Sequence, residues 1–270
     1  MLSRKIKQAK EILERFRDWN HKYVMFSGGK DSLVCLDLAS RVWGDNFRVI
    51  YIEVTGNTHE KCTDYTYRIA EEYGVELIHL KYEENFFDVL KAQGYPSIIW
   101  GGSRWCLNKF KDRPLSKFKK CNSLTITVSG IKQGDSPSRR NFISNKAVDG
   151  VVRVPRKNQW GKVQLIPIYS WSKNDVWQYI KDRELPLNPL YGEIGFSGNC
   201  LICPGIKKSE FLAVMEKCPD TFCLWRKAHE KLREDYTKNC LRGAEVVFHK
   251  FEDWYRTYCL NRRMDENYEI

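Results

Sequence analysis

Residues 23–43, YVMFSGGKDSLVCLDLASRVW, run from a short apolar strand through two adjacent glycines into an amphipathic helix. This stretch constrains the fold most, because a strand that ends in glycine and feeds a helix is half of a βαβ unit and needs a parallel neighbour. FRVIYIEV and VELIHLKY supply further apolar strands, and SLTITVSG a fourth. Between them, HEKCTDYTYRIAEEYG and NFFDVLKAQG read as helices ended by Gly74 and Gly94. The alternation predicts an α/β domain with a mostly parallel sheet.

The glycine loop itself asks for an anion. Free backbone N–H groups and the positive end of the helix dipole meet in one concavity there. Gly28 and Gly29 carry no Cβ to obstruct an oxyanion, Ser27 and Ser32 offer hydroxyls, and Lys30 offers a counter-charge. The Walker pattern does not fit, since the glycines are adjacent and Asp31 follows the lysine. Asp31 is unusual beside a phosphate and is expected either to cap the helix or to help hold Mg²⁺.

Net charge is +11 over 270 residues, and it is concentrated. Residues 101–165 hold fifteen Lys or Arg against Asp112, Asp135 and Asp149, with Trp105, Phe110, Phe118, Phe142 and Trp160 interleaved. One segment carrying the whole excess points to a polyanionic ligand, against the plainer reading of a solvated basic face. No apolar run reaches the ~18 residues of a membrane span, and the first helix alternates charge with apolar residues, so a soluble, cytoplasmic protein is expected. Ten cysteines in such a chain suit metal binding, chemistry or burial better than a disulfide framework.

Several motifs in one order identify a relationship. SGGKDS resembles the PP-loop of the ATP pyrophosphatase superfamily, whose members cleave ATP between the α and β phosphates. YIEVTGNTHE resembles the Asp-Thr-Gly strand end of the branch that contains the PAPS reductases and the ATP sulfurylase small subunit, with Thr55, Gly56 and Asn57 kept and Val54 where Asp is usual. RWCLNKFKDRPL resembles that branch's Trp-Cys helix. SGIKQGDSPSRR resembles its anion-gripping loop, with Gly130, Lys132 in the Arg place, Ser136 and Arg139. The segment from PIYSWSKNDVW through NPLY to GNCLIC resembles the branch's later motifs, and the resemblance spans roughly residues 20–205.

The resemblance implies a Rossmann-like, adenine nucleotide alpha hydrolase-like domain over 21–205, preceded by a helix over 1–20 and followed by a helical region over 206–270. It implies ATP with its phosphates over residues 27–32, its adenosine near Thr55–Asn57, and Mg²⁺ between phosphates. Lys30, Lys132 and Arg139, with Arg140 beside them, are expected to neutralise developing charge. Sulfonucleotide reductases usually carry a degraded loop and a Glu-Cys-Gly-Leu-type tail. Here the hexapeptide is intact and the chain ends YCLNRRMDENYEI. The preferred expectation is therefore an ATP-dependent adenylating enzyme of sulfur chemistry, with a PAPS or APS reductase and a non-catalytic nucleotide-binding subunit as alternatives. Expected partners are an adenine nucleotide, a nucleic acid (tRNA or DNA) or a sulfur-donor protein, and a second copy of the chain.

In cluster-bearing relatives a CxxC at the place of Cys200 and Cys203 joins cysteines on the basic helix to hold [4Fe–4S]. Cys106 is the helix cysteine here, and Cys218 or Cys223 is the remaining candidate, unless one iron stays open. Zn²⁺, a redox disulfide or simple burial fit the same residues. Cys35, Cys62 and Cys121 read as core or surface thiols, and Cys240 and Cys259 stay undecided. His59 reads as a helix cap or a nucleotide contact, Trp177 as core, Asp175 as a cap or an orienting group, and NPLY as a turn that closes the site.

Overall fold

The computed structural model describes residues 2–99, 102–122, 125–153, 163–235 and 243–260. Trp160 and Cys240 lie outside the described residues. Helix α1 (Leu2–Glu14) presses Ala9, Ile12 and Leu13 into the core. A turn then leads to β1 (Lys22–Met25). Lys22 is 2% exposed, yet its ammonium is satisfied by the carbonyls of Arg17 and Trp19 at 2.7 and 2.8 Å, which closes that turn.

The chain continues through α2 (Lys30–Trp43), β2 (Arg48–Glu53), α3 (Glu60–Glu72), β3 (Leu77–Lys81) and α4 (Phe86–Gln93). The predicted basic helix is in three pieces: α5 (Trp105–Leu107), a π turn (Asn108–Asp112) and α6 (Arg113–Cys121). Strand β4 (Ile126–Val128) follows, then a 3₁₀ turn (Gln133–Asp135) and α7 (Pro137–Lys146). The short strands β5 (Ala147–Val148), β6 (Val151–Arg153) and β7 (Val163–Leu165) complete the sheet. Helices α8 (Lys173–Asp182), α9 (Leu190–Glu193), α10 (Lys208–Lys217), α11 (Pro219–Glu234) and α12 (Ala244–Tyr255) follow, with a π turn (Arg256–Leu260) after the last.

The seven strands run in the order β3-β2-β1-β4-β7-β6-β5. All pairs from β3 to β7 are parallel, and β6 and β5 add an antiparallel edge. The chain leaves β1 toward β2 and β3, then returns on the other side to β4, with Val24 opposite Val128. Strand order reverses there, and a parallel α/β sheet leaves an open crevice at the carboxyl ends of the two strands flanking such a point. The glycine loop follows β1 and the predicted anion loop follows β4, so both motifs open into that crevice.

Two large apolar clusters hold the layers. One packs α1, α2 and α8 on the sheet through Leu13, Leu33, Leu36, Trp43 and Tyr179. The other joins α4, Trp105 and Phe110 to α10–α12 through Phe211, Trp225 and Phe251. The helical region beyond residue 206 therefore shares its core with α4 and the CxxC loop. Trp225 is fully buried, with its indole N–H given to Tyr95 at 3.0 Å, so truncation to Ala is a loss of about 3–5 kcal/mol.

The Gly, Pro, Asn and Arg content of 131–165 predicts an irregular loop followed by a hairpin; β5 and β6 do pair antiparallel, but a helix fills 137–146 where the loop is expected. Ser136 accepts the Arg139 N–H at 3.2 Å and Pro137 occupies the first turn, a strong local start signal. Among its residues Ile143 alone is buried, so the helix has almost no apolar periodicity to announce it.

Candidate functional site

Gly28 and Gly29 shape the loop in different ways. Gly28 sits at φ +72°, and a Cβ there would stand 2.7 Å from Cys62 Sγ. Gly29 is the α2 N-cap in extended conformation and has no side chain to bond the helix start. Ser32 does part of that work: its hydroxyl donates to the Gly29 carbonyl at 2.8 Å and lies 3.3 Å from both the Ser27 N–H and the Ser27 hydroxyl. The loop is thus pre-shaped by its own serines. Asn188, 1% exposed, clamps it from outside, donating to the Gly28 and Ser197 carbonyls at 3.1 Å each. Tyr191 Oη accepts the Lys30 backbone N–H at 3.0 Å.

The loop after β4 meets this one directly. A Cβ on Gly130 would stand 2.7 Å from the Asp31 carbonyl carbon and 3.0 Å from the Ser32 nitrogen, so only glycine lets the two backbones approach. Beyond it a chain of charges begins. Lys30 Nζ lies 2.9 Å from Asp31 Oδ2, Lys132 Nζ 2.7 Å from Asp31 Oδ1 and 2.8 Å from Asp135 Oδ1, and Arg139 2.7 Å from Asp135 Oδ2. Lys132 is 3% exposed and held entirely in this cluster. Burial would raise the Asp135 carboxyl, but bonds from Lys132 and Arg139 outweigh it and hold the group below its ordinary value. Asp31 is therefore a counter-ion between two lysines: it makes no helix cap, and its oxygens are already taken by cations. Arg139 and Arg140 are exposed on the first turn of α7.

The second strand end is more structural than its motif suggests. Thr55 donates its hydroxyl to the Tyr82 carbonyl and its carbonyl accepts from the Phe86 N–H at 2.8 Å, which ties β2 to the start of α4. Gly56 turns at φ +80° directly beneath the Asn85 side chain. Asn57 is fully buried and exchanges two hydrogen bonds with the Ile202 backbone, donating at 2.7 Å and accepting at 2.8 Å. Its amide is committed to the CxxC loop. Val54 is buried where the family pattern has a carboxylate.

The cysteines divide into groups. Cys106, Cys200 and Cys203 lie close enough that each of the latter two raises the Cys106 thiol's pKa, after burial, which together push it up to about 11. Burial and then Cys200 push Cys203 up as well, against Lys111 and Lys250. Cys218 is elsewhere: after burial, the groups acting on it are Glu193 and Lys61. Among the described residues no group of three or more His, Cys, Asp or Glu has metal-holding geometry. The four predicted thiols are therefore not assembled into a cage among the described residues; Cys106 and Cys200 are half-buried and Cys203 is exposed. Cys62, 0% exposed and pushed up to about 12 by burial, is the thiol that touches the glycine loop. Cys35 is buried and Cys121 exposed.

Other predicted positions resolve simply. His59 caps α3 by accepting the Lys61 N–H at 3.1 Å. Asp175 forms a capping box with Ser172 and binds Lys5 at 2.5 Å. Trp177 stands edge-to-face on Tyr191 with ring centroids 5.6 Å apart. Asn188, Tyr191, Asp135 and Cys62 complete the loop's surroundings without having been singled out for it. Of these only NPLY stood out in sequence, and there as a turn.

A parallel sheet with a Ser-Gly-Gly-Lys-Asp-Ser loop at its switch point defines an adenine nucleotide alpha hydrolase-like α/β protein. Within that class, the model of the phosphoadenosine phosphosulfate reductase domain matches residues 21–205, and the chain belongs to that family. Two uncharacterized proteins of Methanocaldococcus jannaschii are 31% and 33% identical, each match covering 81% of this chain but 51% and 42% of the relative. The chain thus spans about half the length of these curated relatives. An adenosine 5′-phosphosulfate reductase of Pseudomonas aeruginosa is 27% identical over 72% of this chain and 69% of that protein. Among solved structures, the U34-tRNA thiolase NcsA from Methanococcus maripaludis with its [4Fe-4S] cluster aligns with a TM-score of 0.52 at 15% identity, over 93% of this chain and 80% of that one. That likeness is one of fold. No described helix is long and apolar enough to cross a membrane.

Proposed function

We propose that this chain binds ATP with its phosphates on residues 27–32 and cleaves it between the α and β phosphates, leaving adenylate on an acceptor. The observation that carries the reading is the intact loop. Gly28 lets the backbone turn tightly against Cys62, Gly29 puts no Cβ between the Ser27, Tyr191 and Ser197 hydroxyls, the loop opens at the start of α2, and Lys30 lies beside it. Thr55 and Gly56 flank the neighbouring strand end, where the adenosine belongs in this reading. In this reading Arg139 and Arg140, exposed on the first turn of α7, serve as the charge beside the departing pyrophosphate or the acceptor, and buried Lys132 holds Asp31 and Asp135 in place behind them. Mg²⁺ arrives on the nucleotide's own phosphates, because Asp31 is already held by two lysines. Catalysis is then positioning and electrostatic stabilisation, with no side-chain nucleophile.

The acceptor in this reading is a polyanion of the nucleic-acid class, supported by the basic excess of residues 101–165. A PAPS or APS reductase is the second reading, favoured by the identity to adenosine 5′-phosphosulfate reductases. Incubation with α-labelled ATP and total tRNA separates the two. AMP or adenylated RNA together with pyrophosphate is expected. Formation of ADP contradicts the cleavage position, and release of sulfite from PAPS or APS with a dithiol contradicts the class.

A further inference from the structure

The segment 188–198 crosses over the glycine loop, and two of its hydroxyls face it. Tyr191 Oη lies 3.7 Å and Ser197 Oγ 3.8 Å from the point where a Cβ on Gly29 would stand. The segment is fixed in place. Asn188 bonds the Gly28 carbonyl and the Ser197 carbonyl, and its own side-chain oxygen accepts the Leu190 N–H at 3.0 Å. Trp177 supports the Tyr191 ring edge-to-face at 85°.

Tyr191 is half of an unfinished chain. Its oxygen accepts the first N–H of α2, at Lys30, but among the described residues its own hydrogen has no acceptor. The phenol stays protonated: burial pushes it up to about 12, with Asp31 adding to the rise against the Lys30 N–H. A donor hydrogen that extends a helix N-terminus into a glycine cradle wants an acceptor-only oxygen there, and phosphate oxygens are of that kind. The resulting N–H···O–H···O–P chain is polarised in one direction, so each bond strengthens the next.

We infer that Tyr191, with Ser197 beside it, is a phosphate ligand contributed from outside the loop, so that the anion is held between residues 27–32 and the 188–198 segment. This rests on the reading that the loop binds nucleotide phosphates, and it assigns the far wall of that site. The competing reading is that Tyr191 merely plugs the helix end and must leave before an anion enters. The two make opposite predictions for removal of one oxygen atom.

Calorimetric titration of the full chain with inorganic pyrophosphate, ATP and adenosine, for wild type, Tyr191→Phe and Ser197→Ala, decides between them. Phe keeps the ring against Trp177, and thermal unfolding of each variant checks the fold. Tyr191→Phe is expected to weaken pyrophosphate and ATP about ten-fold or more, the effect of losing a hydrogen bond to a charged group. Ser197→Ala is expected to weaken both by a smaller factor, and adenosine is expected to bind all three proteins equally. Unchanged or tighter pyrophosphate and ATP binding by Tyr191→Phe overturns the inference, as does an equal loss of adenosine. A wild type that binds adenosine but neither anion overturns the phosphate reading of the loop itself.

Discussion

Lys132 Nζ stands 2.7 Å from Asp31 Oδ1, joining the loop that follows β4 to the loop that follows β1 by a buried ion pair. Lys132 has no other route to solvation, since its side chain is 4% exposed and its second contact is Asp135. Removing the central cation of this largely buried charge set leaves Asp31 with Lys30 alone and Asp135 with Arg139 alone, each carboxylate short of one partner. Lys132→Met is therefore expected to destabilise the fold by about 3 kcal/mol in urea denaturation, with ATP binding weakened in parallel. Wild-type stability in that variant contradicts the pairing.

Gly130 is predicted to be irreplaceable for a reason unrelated to flexibility. Its missing Cβ faces the Asp31 and Ser32 backbone, which cannot swing aside as a side chain would. Gly130→Ala should cost about 1–3 kcal/mol as an overpacked contact and push α2 away from β4. Gly134→Ala, which meets nothing within 4 Å, is the matched control and should be nearly neutral. Equal denaturation midpoints for the two would refute the close approach.

Asn57→Ala should loosen the CxxC loop. The substitution leaves the buried Ile202 N–H and carbonyl unpaired, a loss of about 2–3 kcal/mol. Freed from that anchor, Cys200 and Cys203 are expected to react faster with a disulfide reagent at pH 7.5, while buried Cys35 stays unreactive in both proteins. Thiol kinetics that do not change would show that Asn57 does not hold the loop.

A buried histidine makes the C-terminal helices acid-sensitive. Trp225 gives its N–H to Tyr95 Oη, Tyr95 lies 2.8 Å from His229 Nδ1, and His229 Nε2 lies 3.0 Å from Glu252. Because Tyr95 already accepts from Trp225, its hydrogen goes to Nδ1, and the ring is neutral with hydrogen on Nε2. Burial pushes the imidazole down to about 4 despite Glu252. The unfolded chain binds a proton below its ordinary value near 6.5 and the folded chain does not until about 4. This contribution is complete above 6.5 and is lost as pH falls to 4, on the order of 3 kcal/mol. His229→Gln should flatten that part of the stability profile relative to wild type. Identical slopes for the two proteins between pH 6.5 and 4 would show that the ring is charged in the fold.

What could be read from the chain follows from the range of each interaction. The strands, the glycine loop and its helix are written within twenty or so consecutive residues, where periodicity and glycine placement act directly. SGGKDS thus announced a glycine turn into a helix start, and the alternation announced a mostly parallel sheet. The partners of that loop come from far away: Tyr191 is 161 residues from Lys30, and Ile202 is 145 from Asn57. Nothing local marks such a pairing, so NPLY read as a turn and Asn57 as a nucleotide contact, while one supplies Tyr191 over the loop and the other anchors the CxxC segment. Helix α7 was missed because its signal is a cap and a proline, with one buried apolar residue to support them.

Titration of one preparation with ATP and with phosphoadenosine phosphosulfate separates a loop built for ATP from a sulfonucleotide site. Tighter binding of ATP is expected, reduced at least ten-fold by Lys30→Ala, as loss of a charge-assisted contact implies. Preference for phosphoadenosine phosphosulfate, unaffected by that substitution, would contradict it and return the chain to the reductase class.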